Sequence, residues 1–118
     1  MNIDQTQKEL EKLCDALPEI VFSELNGGIS ILPQVKINPQ KRGKNYYILG
    51  EYCRGGIMGR YINIYFGSFE AVLQGADEEG WKNKIREVLF HELTHHLEDL
   101  AGENELEKED ERLLASLR

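Results

Sequence analysis

The sequence has little cysteine, no long apolar run and no excess of positive charge. Its two cysteines, Cys14 and Cys53, form neither a disulfide framework nor a CxxC motif, so we expect reduced thiols. No apolar run approaches the roughly 20 residues of a membrane span. The first 15 residues lack the apolar centre of a signal peptide, and we therefore expect a cytoplasmic protein.

The charge balance is acidic. Lys and Arg number 14 against 21 Asp and Glu, which gives a formal net charge of −7. This balance argues against nucleic acid or an anionic membrane surface as the main partner. The length of 118 residues, of which 41% are apolar, predicts a single folded domain over residues 1–118, and we expect a monomer.

Helical and strand patterns are segregated along the chain. Thr6 followed by Glu9 has the form of a capping box for a first helix that ends near residue 17. A mainly β-type middle section is followed by helical patterns, and this order predicts an α+β fold with a short antiparallel or mixed sheet. The predicted elements are a short helix at 19–25, strands at 29–37, 46–53 and 61–66, a short helix at 68–73, a long helix at 81–100 and a final helix at 105–117.

Basic residues are concentrated in one stretch. Residues 36–60 contain six Lys or Arg but one acidic residue, Glu51. Two interpretations stay open: a solvated loop and hairpin, or a rim that attracts an acidic substrate or partner.

All three histidines lie within six residues, in an HExxH motif formed by His91, Glu92 and His95. On a helix, the two motif histidines lie on the same face, about 6 Å apart along the axis. Two imidazoles so placed can share one Zn²⁺, while Glu92 projects beside the metal. Glu92 can then take a proton from water on the metal and pass it to a leaving group.

The helical pattern supports this interpretation. At about 100° per residue, one apolar stripe forms, and His91 and His95 project away from it. His96 falls within the stripe, so we predict that it belongs to the core or supports the ligands from behind. The stripe consists of Ile85, Leu89, Leu93, Leu97 and Leu100.

A catalytic zinc needs a third protein ligand, which we expect among the acidic residues that follow the motif. Asp110 is favoured because it falls in the leucine stripe of the predicted final helix, where an unpaired carboxylate is costly. Glu107 lies at the edge of that stripe. Glu98 shares the face of His91, but it lies about 10 Å away along the axis.

The sequence resembles the minimal zincin-like metallopeptidases, a family of short bacterial proteins. The HExxH run followed by His96 carries most of the resemblance, which begins near residue 17 and covers most of the chain. This resemblance implies a small α+β fold in which an antiparallel sheet flanks the metal helix. The matching segments are residues 48–52, 62–67 and 88–96.

The sequence also departs from the common family pattern. Glu98 replaces the glycine of HExxHxxG, and Ala101 stands where an acidic ligand is usual. The family's acidic ending reappears at residues 109–113, and this likeness also favours Asp110 as the third ligand.

The leading hypothesis is a zinc peptidase that acts on a peptide or protein substrate, with His91, His95 and Asp110 on Zn²⁺ and Glu92 as the general base. Strand 61–66 either adds an extended peptide or is an ordinary core strand. Candidates for stabilising a developing oxyanion are Tyr47, Tyr52, Tyr61 and Tyr65.

Two other functions stay open. The first is a metal-binding regulatory or interaction module without catalysis. The second is a metal enzyme acting on nucleic acid through the basic stretch at 36–60. Iron, cobalt or manganese could replace zinc in a His₂-carboxylate site.

Overall fold

The computed structural model describes residues 1–43, 46–102, 115 and 117. The predicted α+β fold class is confirmed. A 3₁₀ turn at Glu19–Phe22 follows the first helix. No helix in the described ranges has both the length and the apolar character needed to cross a bilayer. The helices are α1 (Ile3–Asp15), α2 (Phe66–Val72) and α3 (Glu78–Gly102), and the strands are β1 (Gly28–Leu32), β2 (Gly50–Arg54) and β3 (Arg60–Tyr65). The predicted final helix at 105–117 lies outside these residues except at Ala115 and Leu117.

The sheet is mixed and has the strand order β1-β3-β2. β3 pairs in parallel with β1 and antiparallel with β2, so Ile62 lies between Ile29 and Tyr52 in the register. The last of the strands in the described residues is therefore the central one. Both of its edges are already paired, so the hypothesis that residues 61–66 add a peptide strand is wrong, and the core-strand interpretation is confirmed.

Several predicted boundaries shift for local reasons. Asn2 and Gln5, not Thr6 and Glu9, form the capping box of α1 through reciprocal bonds of 2.8 Å. Thr6 is buried inside the helix, and its hydroxyl donates to the Asn2 carbonyl. β1 ends just before Pro33, because proline cannot donate to the ladder. The predicted strand at 46–53 divides: a single bridge joins Ile37 and Tyr47, and β2 begins at Gly50.

The core lies between the sheet, α1 and α3. The apolar stripe predicted for α3 is buried as expected, and each of its five members is at most 1% exposed. These residues meet Ile62 and Ile64 from β3, Leu10 from α1 and the rings of Phe66 and Trp81. Packing against this stripe fixes the rotation of α3, and therefore decides which side chains face away from the core.

Ser68 anchors the loop that precedes the Ile37 bridge. The short helix was predicted to begin at this residue, but Ser68 lies inside α2 and is fully buried. Its hydroxyl accepts the Lys36 backbone N–H at 2.9 Å and lies 3.1 Å from the Lys36 carbonyl oxygen, to which it donates. One side chain thus satisfies both backbone groups of Lys36.

Candidate metal and peptide site

The two histidines of the HExxH motif converge in space. His91 and His95 are both exposed, and their Nε2 atoms lie 3.0 Å apart, with ring centroids 4.5 Å apart and planes at 86°. Two ring nitrogens this close need a proton or a cation between them. Two nitrogens on one tetrahedral Zn²⁺ lie about 3.3 Å apart when each bond is about 2.0–2.1 Å. The imidazole pair therefore has nearly the spacing of a shared metal.

Glu92 lies beside this pair but points inward. The residue is only 6% exposed, and burial raises the pKa of its carboxyl group against the opposing effects of His91 and His95. The Tyr52 backbone N–H faces the carboxylate and also opposes the rise in its pKa. Glu92 is thus a largely buried carboxylate next to two exposed imidazoles.

The pairing of β2 explains why Tyr52 can reach Glu92. In an antiparallel pair, the backbone groups of successive residues point alternately toward the partner strand and away from it. The Tyr65 N–H donates to the Leu49 carbonyl at 2.9 Å, so the backbone groups of Leu49 point toward β3 and those of Gly50 and Tyr52 point away. That outer edge of β2 faces α3.

Gly50 permits the close approach of β2 to α3. A Cβ atom at this position would lie 2.7 Å from Val88 Cγ1 and 3.2 Å from Glu92 Cγ. The first distance is shorter than any tolerable carbon contact, so a side chain here would push the strand away from the helix. The absence of a side chain at Gly50 therefore helps to keep the Tyr52 N–H near the Glu92 carboxylate.

A polar network fixes the other end of the same interface. The Tyr52 hydroxyl donates to Asp99 at 2.8 Å. Asp99 also accepts from Arg54 at 2.8 Å and from Arg60 at 3.1 Å. These donors lower the pKa of Asp99 against the desolvation that raises it, while burial and Asp99 raise the pKa of Tyr52 well above its usual value. One carboxylate on α3 thereby ties together both strands of the β2–β3 hairpin.

His96 is a core residue, in agreement with its place in the apolar stripe. It is fully buried. Its Nε2 lies 2.7 Å from the Ser23 carbonyl oxygen and its Nδ1 lies 3.1 Å from the Tyr52 hydroxyl. Its two ring nitrogens thus link α3 to the segment after the 3₁₀ turn and to β2, and His96 supports the helix that carries the motif.

An open groove of about 1030 Å³ runs beside His91 and Glu92. One wall is the segment that leads into β2, and the other is the outer face of α3. Of the four candidate tyrosines, Tyr47 is the one that lines this groove within the described part of the chain. The apolar lining consists of Tyr47, Ile48, Leu49, Val88, Phe90 and Leu117.

The chain is similar to a solved structure, a conserved hypothetical protein from Thermus thermophilus. The two share 31% sequence identity with a TM-score of 0.74, over 86% of this chain and 99% of the other. The chain belongs to the family of that protein. Its description as hypothetical assigns it no activity. No protein-family model and no curated protein matches the sequence.

The third metal ligand is not found among the described residues. Within 1–43, 46–102, 115 and 117, no three His, Cys, Asp or Glu side chains are placed to hold one metal ion. Glu98 is described and exposed on α3, yet it joins no such group. Asp110 and Glu107 lie outside the described residues, so their assignment stays a prediction.

The basic stretch is largely engaged within the fold. Lys36 forms an ion pair of 2.7 Å with Glu51, and Arg54 and Arg60 bind Asp99. The Tyr65 hydroxyl donates to Glu51 at 2.6 Å. Three of the six cations therefore join strands and helix instead of forming an open rim.

Sequence reasoning missed the roles of Asp99, Gly50 and the Tyr52 backbone. Asp99 belonged to an acidic run that mostly predicts a solvated face, and nothing local separates it from its neighbours. One feature of the sequence pointed to the groove wall at residues 47–49: the family resemblance of residues 48–52.

Proposed function

We propose that the protein is a zinc-dependent peptidase. One observation carries the proposal: the Nε2 atoms of His91 and His95 lie 3.0 Å apart on the exposed face of α3, next to the buried carboxylate of Glu92. Membership of the minimal zincin-like metallopeptidases, to which the HExxH run points, is part of this proposal.

The donor set fits zinc. Neutral imidazole nitrogens are common Zn²⁺ ligands, and catalytic zinc sites complete the set with a third side chain while leaving one position open. His91 and His95 would hold the ion with Asp110, the favoured third ligand, with Glu107 and Glu98 as the alternatives. Zinc bound there would supply Lewis acidity and lower the pKa of a water to about 7.

Glu92 is suited to move protons beside that ion. The Tyr52 N–H faces its carboxylate, and the close packing at Gly50 limits its movement. Glu92 would accept a proton from the attacking water and donate it to the departing amine. A base held in this way loses little orientational freedom during the reaction.

The groove is large and open enough for an extended peptide. It lies directly along His91, Glu92 and Thr94 on α3, with the 47–50 segment opposite. A peptide lying in it would pass next to the His91 imidazole and the Glu92 carboxylate. This placement supports a peptide or protein substrate.

The decisive experiment compares Glu92→Gln with His95→Ala. We expect Glu92→Gln to retain zinc, measured by elemental analysis and titration calorimetry, but to lose peptidase turnover on a peptide library by about 10² to 10⁴-fold. His95→Ala should lose zinc. Glu70→Gln, an exposed change on α2, is the matched control and should change neither. Unchanged turnover in zinc-loaded Glu92→Gln would reject the base.

The same assays distinguish the candidates for the third ligand from one another, and they also test the alternative function. We expect Asp110→Ala to weaken zinc binding more than Glu107→Ala or Glu98→Ala. If Asp110→Ala leaves zinc affinity unchanged while one of the others abolishes it, the assignment of Asp110 is wrong. Tight zinc binding without cleavage of any library peptide would favour a metal-binding module without catalysis.

A further inference from the structure

Arg86 is placed to bind an acidic group of a ligand in the groove. It lines the groove on α3, and its guanidinium Cζ lies 5.3 Å from the centroid of the Phe90 ring. Stacking on an aromatic face orients a guanidinium while leaving its N–H edge available to a planar acid. Phe90 immediately precedes His91, so this cation lies close to the proposed reaction centre.

The groove wall has one cation that the described chain does not neutralise. Lys84 also lines the groove, but its Nζ lies 3.4 Å from Glu87. Arg86 forms no ion pair with any residue in the described ranges. Arg86 is therefore a cation on the wall of a groove whose other described charged side chains are the Lys84–Glu87 pair and the Glu92 carboxylate.

An apolar surface adjoins this cation. Ile48 and Leu49 from one wall face Val88 and Phe90 from the other, and all four are half-buried or buried. A bulky aliphatic side chain would find apolar contact there, and a neighbouring carboxylate would find Arg86.

We propose that the groove selects a peptide segment in which an acidic residue adjoins a bulky aliphatic residue, with Arg86 as the specificity-determining residue that binds the carboxylate. This inference rests on the proposed peptidase function for its biological meaning, but it concerns binding. It can therefore be tested without hydrolysis.

The test uses the full chain with Glu92→Gln and three fluorescein-labelled, glycine-flanked peptides. Their central residues are Asp-Leu-Asp, Asn-Leu-Asn and Asp-Ser-Asp, and binding is followed by fluorescence anisotropy. Arg86→Gln is then compared with Lys82→Gln. Lys82 pairs with Glu78 at 3.4 Å outside the groove, so the control removes the same charge from the same helix.

We expect the Asp-Leu-Asp peptide to bind about tenfold more tightly than Asp-Ser-Asp and about fivefold more tightly than Asn-Leu-Asn. Arg86→Gln should abolish the second preference and keep the first, which also shows that the groove is intact. Lys82→Gln should keep both. The proposal is overturned if no peptide binds, if Arg86→Gln keeps the acid preference, or if both variants reduce it equally.

These outcomes are separate from those of the peptidase test. A zinc-loaded protein without turnover would reject the peptidase and leave the Arg86-dependent preference in place. If the wild-type groove shows no preference for the acidic peptide, the inference about Arg86 fails. Zinc affinity and turnover would still test the metal site.

Discussion

Replacing Asp99 with asparagine should measurably loosen the contact between α3 and the hairpin. Asp99 accepts from Tyr52, Arg54 and Arg60, and asparagine keeps the shape but loses the charge. The Arg54 pair is half-exposed, with 50% of its side chain accessible, and contributes less than about 1 kcal/mol. The Arg60 side chain is only 11% exposed, so weakening its bond and that of Tyr52 should cost about 1–3 kcal/mol.

The predicted total is about 1–4 kcal/mol of unfolding free energy at pH 7. For a chain of this length, 1 kcal/mol corresponds to about 4 °C, so the Tm of Asp99→Asn should fall by about 4–16 °C. Thermal unfolding followed by circular dichroism measures this. Glu70→Gln, which also removes one exposed carboxylate, should leave the Tm within about 2 °C.

The pH dependence supplies an independent check. The pKa of folded Asp99 is lowered, so the unfolded chain binds its proton more tightly than the folded chain does. Its stabilisation is therefore complete above the unfolded pKa near 3.9 and disappears as the pH falls through the lower folded pKa. The difference between wild type and Asp99→Asn should shrink over that acidic window. An equal difference at pH 7 and at pH 2, or none at pH 7, would refute the reasoning.

Two further substitutions test the packing around the site. Gly50→Ala should lower the unfolding free energy by about 1–3 kcal/mol in urea denaturation, because its Cβ would lie 2.7 Å from Val88. The control Gly102→Ala, whose Cβ meets nothing within 4 Å, should be neutral or stabilising. An unchanged unfolding free energy for Gly50→Ala would contradict the close approach of β2 to α3. Ser68→Ala should cost about 1–3 kcal/mol because it leaves the Lys36 backbone N–H without its partner, and an unchanged urea midpoint would show that another group replaces the hydroxyl.

Local patterns in the sequence predicted the helix that carries the site. The apolar repeat of α3 fixes its rotation, and so the exposed positions of His91 and His95 and the buried position of His96 followed from spacing alone. The fold class followed from the segregation of strand and helix patterns. Periodicity suffices here because the burial of one apolar stripe against the core fixes the rotation of the whole helix.

Contacts between distant segments could not be predicted in the same way. Asp99 meets Tyr52 and Arg60 only after β2 and β3 have paired, and a run of acidic residues does not show which one will be enclosed. The start of α1 was misplaced because both Asn2–Gln5 and Thr6–Glu9 have the spacing of a capping box. The parallel pairing of β1 depends on a crossover that no local pattern encodes.

The central position of β3 also sets an order of assembly. β1 and β2 are synthesised first, but neither has a sheet partner until residues 60–65 are available. The β2–β3 hairpin closes through a loop of a few residues, whereas 27 residues separate the end of β1 from the start of β3. Pairing across the longer separation is the slower event. We therefore expect the hairpin to close before β1 docks, so that the edges of β1 stay unpaired until then.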